Sequence, residues 1–303
     1  INQSLINDIL PCIPFFLLGL CLKIDKETID LISKVCCLAI VVSFLYVWYF
    51  LGARALGGMH GEDYSMYWSY LLLPNTMIVI EYAFFTKRKF PILCALLGIA
   101  YAFAMGTRGV IVIIFSLIVI DVWRYSRLKK TKKIIYMVGL ATLVLLFCSS
   151  NIYIEILLSL KSVLQQMGVS TRVVEYLISG KMISYTSGRD EIYSVLLEYL
   201  RQRPFTGYGV YGEYTLGYAA GAHNAYLQIV FNFGCILGGA LLLGYIIVFI
   251  KGLMCSKGKF SQNWIIVFGC IVFIRSIFGG SYFNYAVFFL LGICLHSIRY
   301  NER

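Results

Sequence analysis

Long, uninterrupted apolar runs constrain this chain more than any other feature of its sequence. A helix needs about 20 apolar residues to cross a hydrocarbon core roughly 30 Å thick, and several runs approach or exceed that length. Inside a bilayer every backbone polar group must be satisfied, and continuous apolar runs meet this condition as helices, whereas barrel strands alternate polar and apolar residues. The sequence therefore predicts an all-α, polytopic bundle of transmembrane helices.

The charge content agrees with a membrane protein. Only 14% of the 303 residues are charged, 60% are hydrophobic and the mean hydropathy is +0.80. A soluble domain has about a quarter of its residues charged. This chain lacks the charged residues to cover a water-facing surface, so a soluble enzyme or binding module is excluded.

About nine apolar runs are candidate spans, and we expect one integral membrane domain over residues 1–303. They lie near residues 9–22, 35–53, 64–85, 90–106, 109–123, 134–154, 224–250, 263–278 and 282–298. The first residue is Ile1, without the charged segment and cleavage site of a signal peptide. We expect the sequence to be an N-terminally truncated part of a larger protein.

The distribution of lysine and arginine predicts the orientation. Basic residues gather on one set of alternate connections, near residues 23–34, 87–89, 124–133, 251–259 and 299–303, whereas the other short connections hold only Arg54 and Arg108. Basic loops remain in the cytoplasm. The long segment over residues 155–222 is then a large extracytoplasmic loop, and the net charge of +11 reflects topology rather than nucleic-acid binding.

The outer loop itself is predicted to be partly helical. Residues 187–203 read SGRDEIYSVLLEYLRQR, with Ser187 and Asp190 spaced as in a capping box and Pro204 placed to end the helix. One face of this helix is apolar at helical spacing. Its residues are Ile192, Val195, Leu196, Tyr199 and Leu200.

Few charged residues lie at the predicted outer face, so each is a candidate for function. Arg108 opens a span, Arg189 lies in the first turn of the loop helix, and Arg275 lies within an apolar run. Charge inside a membrane is costly and is functional by default. The alternatives are an interfacial anchor for Arg108 and snorkelling to headgroups for Arg275.

His223 and Asn224 lie where the chain re-enters the membrane. The helix dipole disfavours an imidazolium at a helix N-terminus, and a neutral imidazole can accept a proton from a hydroxyl. Guanidinium groups on the same face suit phosphate. A base beside such groups fits alcohol attack on a phosphate-activated donor, with arginines neutralising the leaving group. Walker, HExxH, GxSxG and carboxylate-rich metal motifs are absent from the sequence, so we expect neither metal nor cofactor.

Several short motifs together resemble those of the O-antigen ligase and polymerase superfamily. The resemblance covers roughly residues 100–290. Its elements are Thr107-Arg108-Gly109, Ser187-Gly188-Arg189, Arg203-Pro204-Phe205, Gly207-Tyr208-Gly209, His223-Asn224-Ala225-Tyr226, Asn232-Phe233-Gly234 and Gly238-Gly239.

The resemblance implies a multi-pass glycosyltransferase of the bacterial cytoplasmic (inner) membrane. Its substrate would be a lipid-linked oligosaccharide on undecaprenyl diphosphate, used on the extracytoplasmic side, with chain-length regulator and flippase proteins as partners. Carried over, Arg108 and Arg189 bind the diphosphate and His223 activates the acceptor hydroxyl, supported by Asn224. We add Arg275 because of its position in an apolar run. The implied reaction is an inverting single displacement without metal.

Two further sets of alternatives stay open at this point. Polymerase and ligase share these motifs, and we favour a polymerase of O-antigen or capsule over a ligase acting on lipid A-core. From other classes, the chain could be a transporter or flippase, or a scaffold. No internal repeat is evident and the polar residues gather at one face, which favours an enzyme.

Four loop tyrosines either stack on sugars or serve as interfacial aromatics: Tyr208, Tyr211, Tyr214 and Tyr218.

Overall fold

The computed structural model of the chain describes residues 2–55, 66–104, 108–125, 131–132, 134, 151–166, 171–179, 189–216, 222–279 and 281–301. All regular secondary structure in these residues is helical. The chain divides into two compact units. The first unit contains Ile1–Ile29 and Thr186–Arg303, and the second contains Asp30–Tyr185.

The helices within the described residues are numbered in chain order. They are α1 (Asn2–Ile9), α2 (Cys12–Cys21), α3 (Lys26–Ala55), α4 (Met66–Thr86), α5 (Lys89–Ala104), α6 (Arg108–Tyr125), α7 (Asn151–Gln166), α8 (Arg172–Ile178), α9 (Arg189–Gln202), α10 (Gly212–Thr215), α11 (Ala225–Cys255), α12 (Gly258–Phe278) and α13 (Tyr285–Asn301).

Helices coincide with the predicted apolar runs, except for the run at 134–154, most of which lies outside the described residues. Within the described residues, three helices are long and apolar enough to cross a membrane: Lys26–Tyr46 within α3, α11 and α12. Shorter apolar helices lie at Ile6–Cys21, Tyr70–Thr86, Lys89–Ala102 and Tyr285–Tyr300. The prediction of an all-helical membrane protein is confirmed. The number of nine spans and the extracytoplasmic side of the loop stay predictions.

In the first unit, small residues allow helices to pack closely. A Cβ atom on Gly19 of α2 would overlap the carbonyl oxygen of Phe289 in α13, and one on Gly292 of α13 would overlap the carbonyl oxygen of Phe16. Such close backbone approach is typical of small residues at membrane helix interfaces. The α2–α13 pair therefore forms a close-packed part of this unit.

Helix α11 has a different environment on either side of Gly234. Before it, Gln228, Phe231 and Asn232 are buried. After it, large apolar side chains are exposed, as expected for residues that face lipid. They are Ile236, Leu237, Leu241, Leu243, Ile246, Ile247, Ile250 and Met254.

In the second unit, α4 and α6 are joined by buried charges. Glu81 and Asp121 are both fully buried, and the guanidinium of Arg124 lies 3.1 Å from the Asp121 carboxylate and 3.4 Å from that of Glu81. A charge inside a helix bundle needs such a partner, because removing it from water unpaired is costly. Gly98 of α5 approaches Thr76 of α4 closely in the same unit.

Candidate functional site

The helix predicted in the outer loop is present as α9, and its apolar face packs as predicted. Leu196 and Leu200 are buried in a cluster with Ala222 and Phe231, and Ile192 and Tyr199 are among the residues that pack against it. The helix begins at Arg189 and ends at Gln202, two residues before Pro204. Ser187, the predicted cap, lies outside the described residues.

The chain after α9 pairs with a break in α11. Gly234 has non-helical backbone angles, φ 73° and ψ 170°, inside that helix. On the N-terminal side of the break, the amide of Tyr208 donates to the Phe231 carbonyl at 3.0 Å and the amide of Gly209 donates to the Asn232 carbonyl at 2.8 Å. The loop therefore satisfies backbone carbonyls that a break in a helix would otherwise leave free.

On the C-terminal side of the break, α11 donates a hydrogen bond to the loop. The amide of Cys235 donates to the Pro204 carbonyl at 2.6 Å. Glycines make this approach possible: a Cβ on Gly234 would overlap the Phe205 carbonyl, and one on Gly207 would lie 2.5 Å from the Gly234 amide nitrogen. Both glycines also have positive φ, which other residues adopt at a cost. The Gly207-Tyr208-Gly209 and Asn232-Phe233-Gly234 motifs are thus two sides of one backbone junction.

Asn224 caps the start of α11. Its Oδ1 accepts hydrogen bonds from the amides of Tyr226 and Leu227, at 3.0 and 3.1 Å. This satisfies two of the amides that have no partner within the helix. The cap fixes the backbone directly after His223, and a supporting role of Asn224 in catalysis stays a prediction.

His223 immediately precedes this cap and is half-buried. Its φ of 50° lies in the left-handed region, which is uncommon for a residue with a side chain. Burial lowers the pKa of His223 below its ordinary value of 6.5, and the positive charge of Arg189 lowers that pKa further. The imidazole is therefore neutral at physiological pH, as a general base must be.

Arg275 lies at the end of α12 that returns toward the start of α11. The hydroxyl of Tyr226 donates to the Phe273 carbonyl at 2.8 Å, which joins these two helix ends. The Arg275 guanidinium lies 6.0 Å from the centre of the Tyr285 ring, within the range of a cation–π interaction. Arg275, like Arg189 and His223, belongs to the first unit.

Arg108 is the first residue of α6, as predicted, and belongs to the second unit. Only its backbone lies within the described part of the chain. Of the predicted site residues, Arg189, His223, Asn224 and Arg275 belong to the first unit and Arg108 to the second, and the roles of all five stay predictions.

A buried polar network joins α11 to two other segments of the chain, and the sequence analysis did not predict it. The Gln228 side-chain amide donates to the Glu213 carboxylate, and the Asn232 amide donates to the Tyr282 hydroxyl at 3.0 Å. The Tyr282 backbone amide donates to Gln228 Oε1 at 3.4 Å. The spacing of Gln228 and Asn232, four residues apart in an apolar helix, was a signal for this network, since it places two amides on one face.

Tyr208, Tyr211 and Tyr214 have different environments. Tyr208 stacks on Phe231 with ring centroids 4.9 Å apart, which makes it a packing residue. Tyr211 is buried and its hydroxyl donates to Asp8, whereas Tyr214 has 46% of its surface exposed. Tyr218 lies outside the described residues.

The comparisons with known proteins agree with this arrangement. A sequence model of the O-antigen ligase family (Wzy_C) matches residues 93–244, which is half of the chain and includes Arg108, α9, the backbone junction and His223. No curated protein and no solved structure matches the chain. Of the helices that carry these residues, α11 is long and apolar enough to cross a membrane. The chain belongs to the O-antigen ligase family.

Proposed function

We propose that this protein is a glycosyltransferase that polymerises a bacterial surface polysaccharide, an O-antigen or capsule. The donor is a glycan on undecaprenyl diphosphate and the acceptor is a sugar hydroxyl. Membership of the O-antigen ligase family supports transfer of this general type. The reaction takes place at the extracytoplasmic face of the cytoplasmic membrane, where the basic connections predict that the loop with α9 lies.

The observation that carries this proposal is the state of His223. It precedes a capped helix in a left-handed conformation, and burial together with Arg189 holds its pKa below 6.5. A transporter or scaffold has no need of a neutral histidine held beside an arginine. A general base for a hydroxyl has that need, because only the neutral imidazole can accept the proton.

The chemistry follows from these groups. A ring nitrogen of His223 accepts the proton of the acceptor hydroxyl as its oxygen forms a bond to the anomeric carbon. The bond from that carbon to the diphosphate oxygen breaks, and undecaprenyl diphosphate leaves with the electron pair. Arg189 and Arg275 stabilise the charge that develops on the diphosphate. A single displacement inverts the anomeric configuration.

A ligase is the second candidate, since the matching family model carries that description. It would use the same donor and the same base, and would transfer finished polymer to lipid A-core. The two functions differ in the product that accumulates when the reaction stops.

The length distribution of surface polysaccharide in the native host tests the proposal. We expect His223→Ala in the full-length protein to reduce the polymer to single repeat units, because the variant lacks the imidazole that accepts the acceptor proton. His296→Gln is the control, since the imidazole of His296 contacts the Leu20 carbonyl rather than the start of α11. Membrane insertion of both variants is verified by fractionation.

Each other outcome favours a different function. Long polymer that stays on the lipid carrier identifies a ligase. Normal surface polymer from the His223→Ala variant contradicts a catalytic role for this residue and favours transport or scaffolding.

A further inference from the structure

We propose that Tyr214 and Asp8 form a saccharide-binding subsite, an inference that rests on the proposed function. Both residues belong to the first unit and contact Tyr211.

The ring of Tyr214 is held in place by its contact with Tyr211. Tyr214 lies edge-on to Tyr211, with ring centroids 5.4 Å apart, and 46% of its surface is exposed. Tyr211 is buried and also contacts the ring of Phe283, at 6.1 Å between centroids. The exposed face of Tyr214 is therefore a fixed apolar surface of the size of a sugar ring, whose C–H faces pack on aromatic rings.

Asp8 supplies a hydrogen-bond acceptor next to that ring. The hydroxyl of Tyr211 donates to one oxygen of Asp8, which is itself exposed. Tyr211 therefore contacts both the exposed carboxylate and the exposed ring of Tyr214. Burial raises the pKa of Tyr214, and the charges of Glu213 and Asp8 raise it further.

This chemistry fits sugar hydroxyls and not phosphate. An ionised carboxylate only accepts hydrogen bonds, and each sugar hydroxyl has one to donate. A diphosphate would be repelled by the same carboxylate.

The subsite is tied to the helix that His223 precedes. Glu213 accepts a hydrogen bond from Gln228, which lies four residues after Asn224 in α11. At a rise of about 1.5 Å per residue, this contact is roughly 6 Å along the axis from the cap. Glu213 precedes Tyr214 in the chain, so this contact holds the subsite near the start of α11, the helix that His223 precedes.

Binding and kinetics of the full-length protein in nanodiscs test the subsite. The probe is the oligosaccharide released by mild acid from the host's own surface polysaccharide. We expect Tyr214→Ala and Asp8→Asn each to weaken its binding by about 3–10-fold, whereas Tyr214→Phe retains the ring and most of the affinity. The controls are Tyr300→Ala, an exposed tyrosine of α13, and Glu198→Gln, an exposed acid of α9.

Measurements of KM show which saccharide occupies the subsite. A raised KM for the acceptor oligosaccharide assigns it to the acceptor, and a raised KM for the lipid-linked donor assigns it to the donor glycan. Unchanged binding and KM in both Tyr214→Ala and Asp8→Asn overturn the subsite, while transfer by the wild-type protein leaves the proposed function intact. Conversely, Tyr214-dependent binding without any transfer by the wild-type protein supports the subsite and overturns the proposed function.

Discussion

At the scale of single residues, the account depends on the protonation of His223. Its pKa lies below 6.5 because the half-buried imidazole is desolvated and because Arg189 is positively charged. A lowered pKa leaves the base neutral, and so competent, down to a lower pH. We therefore expect the acid limb of the transfer rate to lie below pH 6.5, falling as the pH drops through the pKa of His223.

Arg189→Gln tests the electrostatic part of this shift. Loss of the positive charge should raise the pKa of His223 toward its ordinary value, but not fully, because burial is the larger cause. The pH dependence of diethylpyrocarbonate modification, followed by mass spectrometry of the His223 peptide, measures that pKa without requiring activity. Arg189→Lys, which retains the charge, is the control. An identical pH profile in the Gln variant would show that the two residues do not interact.

Asn224→Ala should weaken both the helix start and the catalytic site. The side chain caps α11 by accepting from two amides, and losing such a cap costs about 1 kcal/mol. We expect a lower Tm in detergent and a reduced transfer rate, with both largely restored by Asn224→Asp, whose oxygen also caps. Equal Tm values for the wild-type and Ala proteins would contradict the cap.

The sequence identified some of the candidate site residues and their neighbours but not others. Arg189, His223 and Asn224 were identified as candidate site residues because a charged or polar residue at a helix start in an apolar chain stands out. Glu213 and Tyr282 were not found, because their role depends on contacts between segments distant in the sequence, Glu213 with Gln228 and Tyr282 with Asn232. The left-handed backbone of His223 carries no sequence signal, since histidine does not require it.

At the scale of elements, the backbone junction between the 204–209 loop and α11 positions the site. It joins the segment after α9 to the helix that His223 precedes, through three backbone hydrogen bonds. Both glycine-containing motifs were recognised in the sequence by resemblance. Their physical reason, a helix interrupted to receive a loop, required the structure, because a glycine in an apolar run is equally compatible with an intact helix.

Gly234→Ala should disrupt this junction. The backbone at φ 73° and ψ 170° lies in a region essentially restricted to glycine, and another residue there costs about 1–3 kcal/mol. The added Cβ would also overlap the Phe205 carbonyl. We expect a lower Tm and loss of transfer. Gly239→Ala is a matched control in the same helix, because a Cβ there meets nothing within 4 Å. Equal Tm values for the two variants would argue that the junction is not formed.

At the scale of the whole molecule, the break at Gly234 divides α11 into two functional parts. Residues 235–255 extend about 31 Å at 1.5 Å per residue, enough to cross the hydrocarbon core. Gln228 and Asn232 in the preceding part are buried against polar partners, so we expect that part to lie at the membrane surface with His223. The composition predicted the membrane class, whereas this division of one helix required the structure.

Reporter fusions test the orientation that places His223 outside. Alkaline phosphatase fused after residue 216 should be active, because that loop is predicted to be extracytoplasmic. Green fluorescent protein fused after residue 256, beside the basic connection between α11 and α12, should fluoresce. The opposite pattern would place the site in the cytoplasm and remove the extracytoplasmic donor from the proposal.

The central claim is that His223 activates a hydroxyl for glycosyl transfer from a lipid diphosphate. The most direct measurement uses the full-length protein in nanodiscs with a fluorescent undecaprenyl-diphosphate-linked repeat unit, and follows both glycan elongation and release of undecaprenyl diphosphate. We predict that the wild-type protein elongates the glycan. His223→Ala should bind the donor with similar affinity but be slower by about 10²–10⁴-fold, the usual contribution of a general base. Equal rates for the two proteins would contradict the claim.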